Sequence, residues 1–153
     1  MTKSFCSSLV IALALFFSFS AAGAAEWQLV GKNNRGAVYY DRYGAKQIPG
    51  NVMRVPVKIV YSPDGAKEIR EAFPFIAQSE TVAYTLYTYE VRCLTNSFMI
   101  TRAATYDPSG KVIKGTELDY VSTAEASWDH ATPNSLVSVL SERVCRYLLP
   151  ARP

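Results

Sequence analysis

An α+β fold, with about six mostly antiparallel strands in a curled sheet, two helices packed on it and one disulfide, is predicted by three observations. The first is a long period-2 alternation of apolar and polar residues from Val52 to Tyr61. The second is the succession of strand-rich runs separated by Gly, Asn and Pro turns, with room for only two helical stripes. The third is the pair of cysteines left once an amino-terminal leader is set aside.

The leader comes first in the chain. Met-Thr-Lys precedes an apolar run from Leu9 to Phe19, and the small residues Ala21-Ala22-Gly23-Ala24-Ala25 precede Glu26-Trp27. Charge, apolar stretch and small-residue cleavage site in this order read as a secretory signal peptide over 1–25, with the domain over 26–153. The apolar run is about half of the roughly 20 residues that a helix needs to cross a bilayer. Cys6 precedes the run, so no cysteine is placed to carry a lipid. The expected product is exported, to the periplasm or to the cell surface or medium, without a lipid anchor and without a transmembrane segment in the mature chain.

Removal of the leader takes Cys6 away and leaves Cys93 and Cys145, an even count in a chain bound for an oxidising compartment. A disulfide is the expected pairing. One of the 16 basic residues, Lys3, lies in the leader, so the domain carries 15 basic against 13 acidic side chains. That mild, interspersed balance argues against nucleic acid as a partner.

Within the domain, Trp27 to Val30 and Ala37 to Asp41 flank the turn Gly31-Lys32-Asn33-Asn34-Arg35-Gly36 and read as a hairpin. The stretch through Ile48-Pro49-Gly50-Asn51 reads as loop. In the next strand Met53, Val55, Val57, Ile59 and Tyr61 share an apolar face, while Arg54 and Lys58 lie on a wet one with Pro56. Proline cannot donate a ladder hydrogen bond, so Pro56 predicts an edge position or a bulge. Ser62-Pro63 reads as a helix cap followed by proline at the first helical position, with Ala66, Ile69, Phe73 and Ile76 as the stripe and Pro74 as the stop.

A long strand is expected from Thr81 to Cys93, with Tyr87, Tyr89 and Val91 on one face and Tyr84, Leu86, Glu90 and Arg92 on the other. Strands over 97–106 and 112–120 should pair across the turn Asp107-Pro108-Ser109-Gly110. An ordered loop from Val121 to Pro133 carries Trp128. Thr132 or Ser135 then caps a final helix with Leu136, Val139, Leu140, Val144 and Tyr147 as its stripe and Cys145 near its end.

Reactive groups are sparse. His130 is the only histidine and reads as an exposed loop residue, because a metal site or a nucleophile would need further partners. Glu117 and Asp119 point the same way on one strand and read as a solvated face. No enzyme, metal or cofactor is expected. Arg54, Lys58, Tyr84 and Arg92 are the candidate binding surface: a weakly basic face beside tyrosines, suited to a protein or an anionic glycan. The residues leave the oligomeric state open.

The order of several short motifs resembles the surface-adhesin protein E-like family of exported bacterial proteins. They are Glu26-Trp27-Gln28-Leu29-Val30-Gly31, Val38-Tyr39-Tyr40-Asp41, Val55-Pro56-Val57-Lys58-Ile59-Val60-Tyr61, Tyr89-Glu90-Val91-Arg92-Cys93, Tyr106-Asp107-Pro108-Ser109-Gly110-Lys111-Val112, Trp128 before Pro133, and Val144-Cys145. The resemblance implies a curled antiparallel sheet with helices against it, stapled by a Cys93 to Cys145 bridge. The family takes its name from a member that binds host matrix proteins such as vitronectin and laminin, so it implies a non-enzymatic binding module, adhesive toward protein or glycan. The chain departs from the pattern in lacking a lipobox cysteine and in having Pro56 where a bulky aromatic is expected. The alternative reading is a soluble periplasmic accessory protein that binds another bacterial protein, with an edge strand near Pro56 as a route.

Overall fold

Residues 25–77, 80–119 and 127–146 are described by a computed structural model of the chain. Residues 1–24 of the leader expected over 1–25, the loop segment 120–126 and Tyr147 lie outside the described residues.

The expected hairpin forms from β1 (Trp27–Asn33) and β2 (Gly36–Asp41), with Gly31–Asn33 and Gly36, read as turn from the sequence, paired in the ladder. Its register shifts between Leu29 and Gly31, and this bulge turns Val30 into the core, where it is buried. A short strand β3 (Lys46–Ile48), read as loop from the sequence, pairs with the start of β4 (Val52–Tyr61). After helix α1 (Pro63–Ala72), β5 (Tyr84–Arg92) and β6 (Ser97–Tyr106) form the second long hairpin. Two-residue strands β7 (Leu118–Asp119) and β8 (Asp129–His130) pair with β6, and helix α2 (Leu136–Cys145) follows. The result is a curled antiparallel sheet in the order β1-β2-β4-β5-β6-β7, with β3 beside β4 and β8 beside β6.

Three expectations change. Pro56 is neither at a sheet edge nor in a bulge: β4 is interior and pairs with β5 along its length, Pro56 standing opposite Thr88. The physical reason is a gap on its other side. β2 pairs with β4 only up to Val57 and β3 takes over only at Arg54, so the ladder is already interrupted at Pro56. The strand expected over 112–120 is reduced to a bridge at Val112 and the two residues of β7, because the chain turns at Gly115 with φ +85° between them. The long strand expected from Thr81 starts at Tyr84.

Both helices lie on one face of the sheet. Val55, Val57 and Val91 of that face are buried and pack with Tyr40, Tyr89, Leu140 and Val144. A second cluster, Ala66, Ile76, Val82 and Ile113, lies under α1 with Tyr61, Ile69 and Phe73. Two glycines allow close approach. A Cβ at Gly31 would meet the Leu136 side chain at 2.6 Å, and one at Gly65 would meet the Arg35 carbonyl oxygen at 2.0 Å. The first lets α2 settle on β1, and the second lets α1 start against the β1–β2 turn. The disulfide joins Cys93, just after β5, to Cys145, the last residue of α2, with Cα atoms 5.5 Å apart.

Local rules account for the helix starts. Ser62 caps α1: its Oγ accepts from the Gly65 N–H at 3.1 Å and donates to the Asn34 carbonyl at 2.6 Å. Ser135, not Thr132, caps α2, accepting from the Ser138 N–H at 3.1 Å. Ser62→Ala is expected to cost about 1–2 kcal/mol, since it removes the cap and the tie to the hairpin turn together. Urea unfolding checks this, and a cost below a few tenths would mean that the cap is solvated instead. At the turn after β6, Asp107 accepts from the Ser109 hydroxyl and from the Ser109 and Lys111 N–H groups. The Ser109 hydrogen bond leads in holding its carboxyl below the usual range.

Candidate functional site

Because side chains alternate along a strand, the face opposite the helices collects the other half of every strand. On β4 these are Val52, Arg54, Pro56, Lys58 and Val60, and on β5 they are Tyr84, Leu86, Thr88, Glu90 and Arg92. Among the described residues no helix packs on this face. The four candidate residues Arg54, Lys58, Tyr84 and Arg92 therefore share it, but they do not act alike.

Arg54 is partly neutralised. Its Nε and Nη2 donate to one oxygen of Glu90 at 3.0 and 2.7 Å, with the Glu90 side chain buried and Arg54 half exposed. A carboxylate this enclosed needs such a partner. Lys58 makes no ion pair among the described residues. Its ammonium lies 4.3 Å from the Tyr84 ring centre and 5.7 Å from that of Trp27. Tyr84 in turn stacks on Tyr106, with centroids 4.9 Å apart and planes 9° off parallel. Arg92 stacks on Trp128 at 3.8 Å. Trp27 and Trp128 are thus aromatic platforms for two of the cations.

Two more cations belong to this face and were missed. Lys46 stands opposite Arg54 on β3, in a segment read as loop. Arg102 follows Phe98 and Ile100 at even spacing, so alternation alone assigns it to the core face. A bulge reverses this: Thr88 pairs with Arg102 but Tyr89 pairs with Ile100, leaving Thr101 as the extra residue. Thr101 is buried and its hydroxyl donates to the Thr88 carbonyl at 3.2 Å, which anchors the bulge. Arg102 is consequently on the helix-free face, 3.6 Å from Asp119.

These residues border two adjoining hollows that share Pro56, Thr88 and Arg102. One, about 630 Å³, has Leu86 and Ala104 with Trp27 and Tyr106, and carries Glu117 and Asp119 at its acidic end. The other, about 490 Å³, is bordered by Lys46 and Arg54. Tyrosines 84, 87 and 89 do not form one row. Tyr84 is on the helix-free face, whereas Tyr87 and Tyr89 are on the helix side, where Tyr61 donates to Thr85 at 2.9 Å. His130 is exposed in β8, opposite Ser97. Among the described residues no three His, Cys, Asp or Glu side chains are grouped to hold a metal ion.

The described residues thus form a small disulfide-stapled antiparallel sheet with both helices on one face and cations resting on aromatic rings on the other. The sequence profile described as Surface-adhesin protein E matches residues 27–146, and the chain belongs to that family. Membership places it among adhesin-like binding proteins, exported or on a surface. No curated protein and no solved structure matches the chain. Among the described residues no helix is long and apolar enough to cross a membrane.

Proposed function

We propose that this chain is an exported, non-enzymatic adhesion module whose helix-free sheet face binds an anionic glycan. The observation that carries this reading is the combination on one face of three cations without a carboxylate partner among the described residues, Lys46, Lys58 and Arg92, with the rings of Trp27, Tyr84, Tyr106 and Trp128. Sugar rings offer C–H faces to the aromatic platforms, and sulfate or carboxylate groups offer charge to the lysines and arginines. A chain with so small a net charge gains little from long-range attraction, so local clustering of its cations is what favours an anionic ligand.

The test is binding of a heparin-derived sulfated oligosaccharide by calorimetry at low and at physiological salt. Affinity should fall as salt rises, because surface charges separated by more than a Debye length of about 8 Å are screened. The double reversal Lys58→Glu with Arg92→Glu should weaken binding at least about tenfold, equivalent to roughly 1.4 kcal/mol. Equal affinity of the double variant, or binding that ignores salt, would remove the face from the account. An acidic protein segment, or a bacterial envelope protein as for an accessory factor, is the competing occupant. If the glycan fails and a cross-linked envelope partner engages the same face, the alternative takes its place.

A further inference from the structure

A separate feature lies on the helix side. The two core clusters do not merge: between α1, α2 and the sheet there is a cavity of about 260 Å³, bordered by Val57, Ile59, Ile69, Leu136 and Leu140. At its mouth Arg35 and Glu68 pair at 2.7 Å. Interiors are normally packed to the density of organic crystals, so the apolar side chains lining a cleft of this size between two helices lack the dispersion contacts that a fitting occupant would supply.

Its polar lining is unusual. Tyr89 borders the cavity, is nine-tenths buried, and its hydroxyl makes no hydrogen bond among the described residues. Tyr87 also borders it, and its hydroxyl has only the 3.4 Å contact with Tyr61. Nearby hydroxyls are by contrast joined: Tyr61 to Thr85 at 2.9 Å, and Thr85 to Thr105 at 2.9 Å. The Tyr89 hydroxyl is therefore a donor that no group among the described residues takes up, open to whatever fills the cavity. Burial, with Tyr87 next in weight, pushes the Tyr89 phenol well above its ordinary range, so it remains a neutral donor.

We infer that this interhelical cavity is a binding site for a small aliphatic molecule bearing one neutral hydrogen-bond acceptor, a carbonyl or ester oxygen, which takes the Tyr89 hydroxyl. A water's share of liquid volume is about 30 Å³, which sizes the occupant at roughly nine heavy atoms. A carboxylate is disfavoured, because the one cation at the mouth, Arg35, is already paired with Glu68 and an unpaired buried anion is costly. The site is independent of the sheet face proposed for adhesion.

The probe is methyl hexyl ketone, with heptanoate as its charged counterpart of equal heavy-atom count, titrated into isotopically labelled mature protein. For so few atoms millimolar affinity is expected. The ketone should show intermolecular nuclear Overhauser effects to the Ile69, Leu136 and Leu140 methyls, and heptanoate should bind more weakly. Tyr89→Phe should weaken the ketone about fivefold to tenfold, the loss of one hydrogen bond. Leu136→Phe, which fills the cavity from the first turn of α2, should abolish the contacts. Absence of these effects with the wild-type protein at millimolar ketone overturns the inference whatever the variants do. Unchanged affinity in a folded Tyr89→Phe overturns it as well, and heptanoate binding as tightly as the ketone does the same.

Discussion

Replacing both Cys93 and Cys145 with serine is expected to lower the unfolding free energy by about 4 kcal/mol, within a range of about 2–5, while the fold class survives. The bridge closes a sequence separation of 52 residues, which encloses all of β6, β7 and β8. Cross-linking over that span removes much of the freedom of the unfolded chain. A second contribution is local. Helix α2 has only 10 residues, too few to be stable alone in water, and the bridge holds its last turn to the end of β5. For a domain whose whole stability is of the order of 5–15 kcal/mol the loss should be plain in urea melts. Far-UV circular dichroism should stay close to that of the parent protein. An unchanged unfolding midpoint after removal of both thiols would show that packing of α2 suffices without the bridge.

Leu140→Ala should be nearly as costly, about 3 kcal/mol within the 2–5 found for buried leucines. Leu140 is 1% exposed and packs in the cluster formed by Val55, Val57, Tyr89 and Val144. It also borders the interhelical cavity. Truncation therefore enlarges a void that the surroundings already fail to close, which argues for the upper part of the range. Chemical unfolding of the variant reads the effect directly. A cost below about 1 kcal/mol would mean that α2 slides to fill the space, and would undermine the close seating of the helix at Gly31.

The large features of the fold were legible because they follow from local rules. The alternation in β4 placed Met53, Val55 and Val57 in the core, and Ser62-Pro63 marked the start of α1. The pairing of Cys93 with Cys145 was readable from the cysteine count. What escaped was set by tertiary pairing. β3 is three residues long and carries no periodic signal, so Lys46 was lost with it. The bulge at Thr101 reverses the side on which Arg102 emerges, and alternation read without that extra residue assigns it wrongly. The interior position of Pro56 depends on where β2 ends and β3 begins, which is a property of neighbours and not of the strand itself.

The candidate site was half legible for the same reason. Arg54, Lys58, Tyr84 and Arg92 do lie on one face, since all four sit on two long regular strands. Their differing states do not follow from spacing. Glu90 takes up Arg54, whereas Lys58 and Arg92 rest on rings contributed by β1 and by the segment before β8. A two-residue alternation cannot announce a contact between residues more than thirty positions apart.

The central claim is that the helix-free face is the surface that takes the anionic glycan. The most direct measurement is a nitrogen-15 chemical-shift map of residues 26–153 titrated with a sulfated heparin oligosaccharide at physiological ionic strength. The account predicts shifts concentrated at Lys46, Lys58, Arg92 and Arg102 and at the indole groups of Trp27 and Trp128, with α1 and α2 unmoved. Shifts confined to the helices, or a spectrum that does not change at millimolar oligosaccharide, would contradict it.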